Sequence, residues 1–141
     1  MNLDVQTVVY WDASAVLSAL FKDSRSAEAM KWSQKEAVHL ISTLSYAEVC
    51  AVISRLKKER VLADVLVDAA FEALERGPWR RLYICPEWAE VKALSRKQPL
   101  RGADLWHLAM GKTIQKQIPE LTLLTFDKRL QTAAKKEHLI R

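Results

Sequence analysis

Glycine and proline are scarce in this 141-residue chain, with three of the first and four of the second. Little room is left for loops, so most of the chain should be helix or strand. The two cysteines, Cys50 and Cys85, stand far apart. That spacing excludes a cysteine metal or redox motif, and two free buried thiols in a reducing cytoplasm are expected. No apolar run approaches the ~18 residues of a membrane span. The opening Met1-Asn2-Leu3-Asp4 also lacks the basic and apolar regions of a signal peptide. Both absences point to a cytoplasmic protein with no membrane association. No repeat, low-complexity segment or linker-like stretch interrupts the chain. Residues 1–141 are therefore read as one domain, long enough to bury about two-thirds of its unfolded surface.

What is present is an alternation of short apolar runs and helical patterns. Thr7-Val8-Val9-Tyr10-Trp11 runs straight into Asp12, and a helix-compatible segment from Ala13 to Phe21 follows at once. A continuous apolar run of this kind suits a central strand buried on both faces. Further strands are expected at Ala37–Ile41, over Trp79–Cys85 around Leu82-Tyr83-Ile84, at Leu121–Phe126, and as a last short piece at His138–Ile140. Between them lie helical stretches: Arg25–Gln34 capped by Ser24, Thr43–Lys58, Leu62–Glu75 stopped by Gly77-Pro78, Pro86–Arg96, Ala103–Ile118 and Asp127–Lys136. Strands separated by helices, with no hairpin signal, require crossover connections. The fold expected is an α/β class, a three-layer α/β/α sandwich around a mostly parallel sheet of four or five strands.

In such sheets ligands gather outside the carboxyl ends of the strands. Asp12 and Asp127 each follow an apolar strand, so both stand at that rim. Either acid alone has a plain role as a helix cap. Two at the same end are harder to dismiss, because neighbouring strands lie only about 4.8 Å apart. Glu48 is more telling. A turn of ~100° per residue lines it up with Leu44 and Val52, beside the apolar arc of Val49 and Leu56. Acids seldom face an interior unless paired with a base or metal-bound. Asp104 opens another helix, directly after a turn containing Gly102.

These residues carry a resemblance. Trp11-Asp12-Ala13-Ser14, Ser45-Tyr46-Ala47-Glu48-Val49, Arg101-Gly102-Ala103-Asp104-Leu105-Trp106-His107-Leu108-Ala109 and Leu124-Thr125-Phe126-Asp127-Lys128-Arg129-Leu130 resemble the four acidic motifs of PIN-domain ribonucleases, in order and at similar spacing. The size and pattern are similar to those of VapC-type toxins of toxin–antitoxin pairs. The resemblance covers essentially the whole chain, and all four acids of the pattern are present. It implies that Asp12, Glu48, Asp104 and Asp127 are catalytic carboxylates that hold one or two Mg²⁺ or Mn²⁺ ions. It implies supporting roles for Ser14 and Thr125, endonucleolytic cleavage leaving 5′-phosphate and 3′-hydroxyl ends, a VapB-type antitoxin as partner, and a homodimer.

The chemistry agrees with the residue types. Two unit charges 4 Å apart interact by roughly 4 kcal/mol at an effective dielectric of 20. Four clustered carboxylates would partly protonate unless cations share the site. Hard oxygen donors without His or Cys select Mg²⁺ or Mn²⁺ over Zn²⁺. The net charge of +5 permits attraction to a polyanion. Bases flank three of the four acids: Arg55, Lys57, Lys58 and Arg60 follow Glu48, Arg101 precedes Asp104, and Lys128 and Arg129 follow Asp127. Arg55, Lys58, Arg101, Lys128 and Arg129 are candidate RNA contacts; each taken alone also fits a solvated helix surface. Tyr46 is a candidate for stacking on bases, Trp11 and Trp106 fit core packing better, and His107 is a weaker candidate for substrate contact. His39 and His138 carry no signal.

Other classes remain open on the sequence. A housekeeping RNA-processing nuclease shares the same residues. An aspartyl phosphatase would also place Asp at a strand end, but it wants a second acid two residues on, where Ser14 stands. A non-catalytic binding module would use the same acids as caps and ion pairs.

Overall fold

A computed structural model describes residues 6–140, and the Met1-Asn2-Leu3-Asp4 opening lies outside the described residues. The chain runs β1 (Thr7–Trp11), α1 (Ala13–Leu20), α2 (Ser26–Ser33), β2 (Ala37–Ile41), α3 (Thr43–Lys58), α4 (Asp64–Arg76), β3 (Trp79–Arg81), α5 (Trp88–Ser95), α6 (Gly102–Gln117), β4 (Leu121–Leu124) and α7 (Lys128–Lys136). Among the described residues the strands form one sheet in the order β3-β2-β1-β4, with every pair parallel. β1 is central, as its apolar run requires.

The pleat explains why β1 is apolar throughout. Val8 and Tyr10 face one layer and join Leu40, Leu108, Leu123 and Leu130 in its core. Val9 and Trp11 face the other and join Val16, Ile41, Val49 and Ile53. Helices α5, α6 and α7 cover the first face, and α1 to α4 cover the second, giving the expected α/β/α sandwich. Each such side chain, fully withdrawn from water, contributes roughly 1.5–3 kcal/mol.

Because all four strands are parallel, their carboxyl ends share one rim. Asp12 follows β1, Ser42 follows β2, and Thr125 follows β4. Three of these ends turn directly into helices whose first residues are capped by side chains. Asp12 caps α1 through Ala15 N–H, Ser42 caps α3 through Ser45 N–H, and Asp127 caps α7 through Leu130 N–H. Each cap is worth about 1 kcal/mol.

Several local expectations need correction. The third strand is Trp79–Arg81, the first part of the expected Trp79–Cys85, and it does not continue through Leu82–Ile84. It pairs with β2 in the register His39↔Trp79 to Ile41↔Arg81, and Leu82 N–H makes the last bond, to the Ile41 carbonyl at 2.9 Å. Beyond that point the chain leaves the sheet, and Tyr83 and Ile84 are exposed. Edge strands tolerate, and benefit from, charged residues such as Arg80 and Arg81. His138–Ile140 is no strand. His138 turns the chain with a φ of 60°, and Leu139 gives one carbonyl bond to Leu123 N–H at 2.9 Å while its side chain fills the core. Helix α5 starts at Trp88 after the cap residue Glu87, so Pro86 precedes it. Helix α2 starts at Ser26 with no side-chain cap, and Ser24 does not serve as one. Neither thiol is buried: Cys50 is half-buried and Cys85 is exposed.

Candidate metal centre

Asp12 is 3% exposed at the rim of β1, and its carboxylate is held on three sides. Oδ1 accepts from the Ser14 hydroxyl at 2.7 Å and from Ala15 N–H at 3.0 Å; Oδ2 accepts from the Thr125 hydroxyl at 2.6 Å. An ionised carboxylate offers about four acceptor positions, so Oδ2 keeps one for another ligand. Ser14 and Thr125 act in both directions. Ser14 Oγ accepts from Phe126 N–H at 3.0 Å, and Thr125 Oγ1 accepts from Asp127 N–H at 3.1 Å. The two hydroxyls thus tie the exit of β1 to the exit of β4 and set Asp127 beside Asp12.

Glu48 lies one turn and a half into α3, with about a third of its side chain exposed. Its Oε1 lies 2.6 Å from Nε2 of His107. The expected inward tilt is present, but the partner is a histidine of α6 rather than a lysine or arginine. Asp104 stands in the first turn of α6, three residues before His107 and so on the same side of the helix.

Electrostatics shows how the acids converge. Burial pushes the Asp12 carboxyl up, against the opposing pull of its Thr125, Ser14 and Ala15 hydrogen bonds. Asp104 is also pushed up, first by burial and then by the negative charges of Asp127 and Asp12, with Glu48 adding to them. Each of the other three acids therefore acts on Asp104. Like charges gathered around one carboxyl leave a site short of positive charge.

A hard divalent cation fits this donor set. The donors are carboxylate and hydroxyl oxygens, and the nearby imidazole is engaged with Glu48. Among the described residues, no three His, Cys, Asp or Glu side chains stand close enough to clasp an ion by themselves. That suits Mg²⁺, which keeps several waters and binds through one or two carboxylates plus substrate phosphates. It does not suit a closed zinc cage.

The flanking bases divide into two groups. Arg101 is the cap residue of α6, and Lys128 and Arg129 open α7 beside Asp127. Lys128 and Arg129 line a groove with Gln98, Leu100, Thr132 and Lys136. Arg55 and Lys58 are exposed in the last turn of α3. At 1.5 Å per residue they lie roughly 10 and 15 Å further along the helix than Glu48, away from the rim. Trp11 is wholly buried, as its core role requires. Tyr46 is tied up with Glu75, which also pairs with Arg81. His39, which carries no sequence signal, is buried and accepts from the Trp11 indole N–H at 3.0 Å.

Two residues at the site had little or no signal in the sequence. Tyr10 lies behind Asp12 on the same face of β1, and its hydroxyl is 2.6 Å from Nδ1 of His107. A buried tyrosine needs a partner for its hydroxyl. That need, together with a histidine one turn after Asp104, is the signal that could have joined them.

Comparison with known proteins adds the lineage. A family model described as PIN domain matches residues 9–136. Two proteins of Mycobacterium tuberculosis, Ribonuclease VapC45 and Ribonuclease VapC49, are each 32% identical over 137 residues, covering 90% of this chain and 89% of their own. Among solved structures, PAE2754 from Pyrobaculum aerophilum superposes with a TM-score of 0.60 at 18% identity, covering 94% of this chain and 87% of that one. Mycobacterium tuberculosis VapC20, described as a sarcin-ricin loop cleaving toxin, gives 0.59 at 14% identity, covering 89% and 94%.

Proposed function

The chain belongs to the PIN-domain family, and on that footing we propose that it is a metal-dependent endoribonuclease of the VapC kind, the toxin of a toxin–antitoxin pair. Asp12, Glu48, Asp104 and Asp127 would share Mg²⁺ or Mn²⁺ at the carboxyl rim of the sheet, one or two of them directly and the others through the waters such an ion keeps. The observation that carries this is the convergence of the acids on Asp104: after burial, the charges of Asp127, Asp12 and Glu48 all raise its carboxyl. A bound cation would lower the pKa of an attacking water and offset charge on the phosphodiester.

The protein's own residues supply orientation. Thr125 and Ser14 fix the Asp12 carboxylate, and through Thr125 Oγ1 the backbone of Asp127 is fixed with it. Lys128 and Arg129, next to Asp127 in the chain, offer phosphate contacts in the groove they line, and Arg101 lies three residues before Asp104 at the start of α6. The hydroxyl of Ser14, bonded to Asp12, stands where an aspartyl phosphatase would need its second acid.

A VapB-type antitoxin is the partner that the VapC relatives support, and a second copy of the chain completes the proposed assembly. Among the described residues no helix is long and apolar enough to cross a membrane. Purified protein incubated with cellular RNA and Mn²⁺ tests the activity. Cleavage that disappears with chelator supports it; release of phosphate from small phosphoesters without RNA cleavage overturns it.

A further inference from the structure

Glu48 has a buried hydrogen-bonded chain behind it. His107 is 2% exposed, with Nε2 at 2.6 Å from Glu48 Oε1 and Nδ1 at 2.6 Å from the Tyr10 hydroxyl. The imidazole stands nearly perpendicular to the Tyr10 and Trp106 rings, at 83° and 85°. The Tyr10 hydroxyl lies 2.8 Å from Ser42 Oγ, the cap of the helix that carries Glu48. The chain thus joins β1, α6 and both the cap and the acid of α3.

Its proton directions follow from counting donors. The Ser45 hydroxyl donates to the Trp11 carbonyl at 3.0 Å and has no second proton. Ser42 donates to Ser45 at 3.2 Å and also meets the Tyr10 hydroxyl at 2.8 Å. The same hydroxyl abuts Nδ1 of His107 at 2.6 Å and so braces the ring from behind. At the other end of the ring the direction is set by Glu48: an ionised carboxylate only accepts, so Nε2–H donates to Oε1 at 2.6 Å.

We propose that Tyr10 and His107 are positioning residues that hold the Glu48 carboxylate in its metal-binding orientation, Tyr10 by bracing the His107 ring at Nδ1 and His107 by donating to Oε1. The inference rests on Glu48 being a metal ligand. The neighbours of ligating carboxylates matter because their loss typically weakens metal binding by about 10–100-fold. The imidazole takes one acceptor position of the carboxylate, and the remaining positions would be open to a cation.

The test is calorimetric titration of Mn²⁺ into wild type, Tyr10→Phe, His107→Gln and His107→Leu. Urea unfolding of each variant and RNA cleavage at saturating Mn²⁺ accompany it. Tyr10→Phe and His107→Leu should weaken Mn²⁺ binding on the order of tenfold. His107→Gln, whose amide can replace the Nε2–H donor, should recover most of the affinity. A packing role alone lowers the unfolding midpoint and leaves Mn²⁺ affinity unchanged, which overturns the proposal. Should His107→Leu fail to fold, Tyr10→Phe decides, because phenylalanine fills the same space without the hydroxyl. Wild type that binds no Mn²⁺ overturns the metal site and this inference together; wild type that binds beside equally tight Tyr10→Phe overturns this inference alone.

Discussion

The Thr125 hydroxyl donates to Asp12 Oδ2 at 2.6 Å across adjacent strands whose residues lie 113 apart in sequence. Thr125 is 1% exposed, and its oxygen also accepts from Asp127 N–H at 3.1 Å. One hydroxyl therefore fixes two of the four acids. Thr125→Val keeps the shape and removes both bonds. It should cost about 1–3 kcal/mol of stability in urea unfolding and lower RNA cleavage about 10–100-fold. Wild-type cleavage by a folded Thr125→Val protein contradicts the role given to this hydroxyl.

The acids make a second prediction, about pH in the absence of metal. Burial raises the Asp12 carboxyl above its ordinary value, and burial together with like charge raises that of Asp104. The folded state then keeps these protons to higher pH than the unfolded chain does. Their contribution to stability is fully present below the ordinary carboxylate range and is lost as pH rises through the raised values. On their account, the urea midpoint of metal-free protein should fall from mildly acidic toward neutral pH. Asp104→Asn should flatten that profile and raise stability at neutral pH. Mn²⁺ should stabilise wild type at neutral pH far more than it stabilises Asp104→Asn. A wild-type midpoint indifferent to both pH and Mn²⁺ contradicts the electrostatic picture.

RNA binding should follow the geometry of the bases. Lys128 and Arg129 line the groove beside Asp127, whereas Arg55 and Lys58 sit at the far end of α3. Lys128→Ala and Arg129→Ala should each weaken RNA binding and reduce the slope of log K against log salt by roughly 1. Arg55→Ala and Lys58→Ala should change that slope less. An equal change from both pairs would mean that RNA also runs along α3.

Much of this site was legible in the sequence, and the reasons are local. Asp12 and Asp127 follow apolar strands and cap the next helices, so chain order alone puts them at one rim. Glu48 sits among apolar residues at helical spacing, which turns it inward. Its histidine partner was not legible, because the His107–Glu48 contact needs α6 and α3 to meet across the rim, 59 residues apart. The link from His107 to Tyr10 spans 97 residues. The third strand was expected to run too far, to Cys85, for a related reason. Leu82-Tyr83-Ile84 has strand composition, but pairing with β2 fixes the register, and that register ends at Arg81. An edge position accepts arginines that a central strand would not.

The most direct measurement of the central claim compares wild type and Asp12→Asn on cellular RNA with Mn²⁺, with and without chelator. Asparagine is close to isosteric, and it can still accept from Ser14 and Ala15, so the protein should stay folded. Wild type should cleave with Mn²⁺ and stop with chelator, and Asp12→Asn should show no cleavage above background at any Mn²⁺ concentration. A folded Asp12→Asn protein that cleaves RNA as fast as wild type would contradict the assignment of these acids as the metal-binding centre.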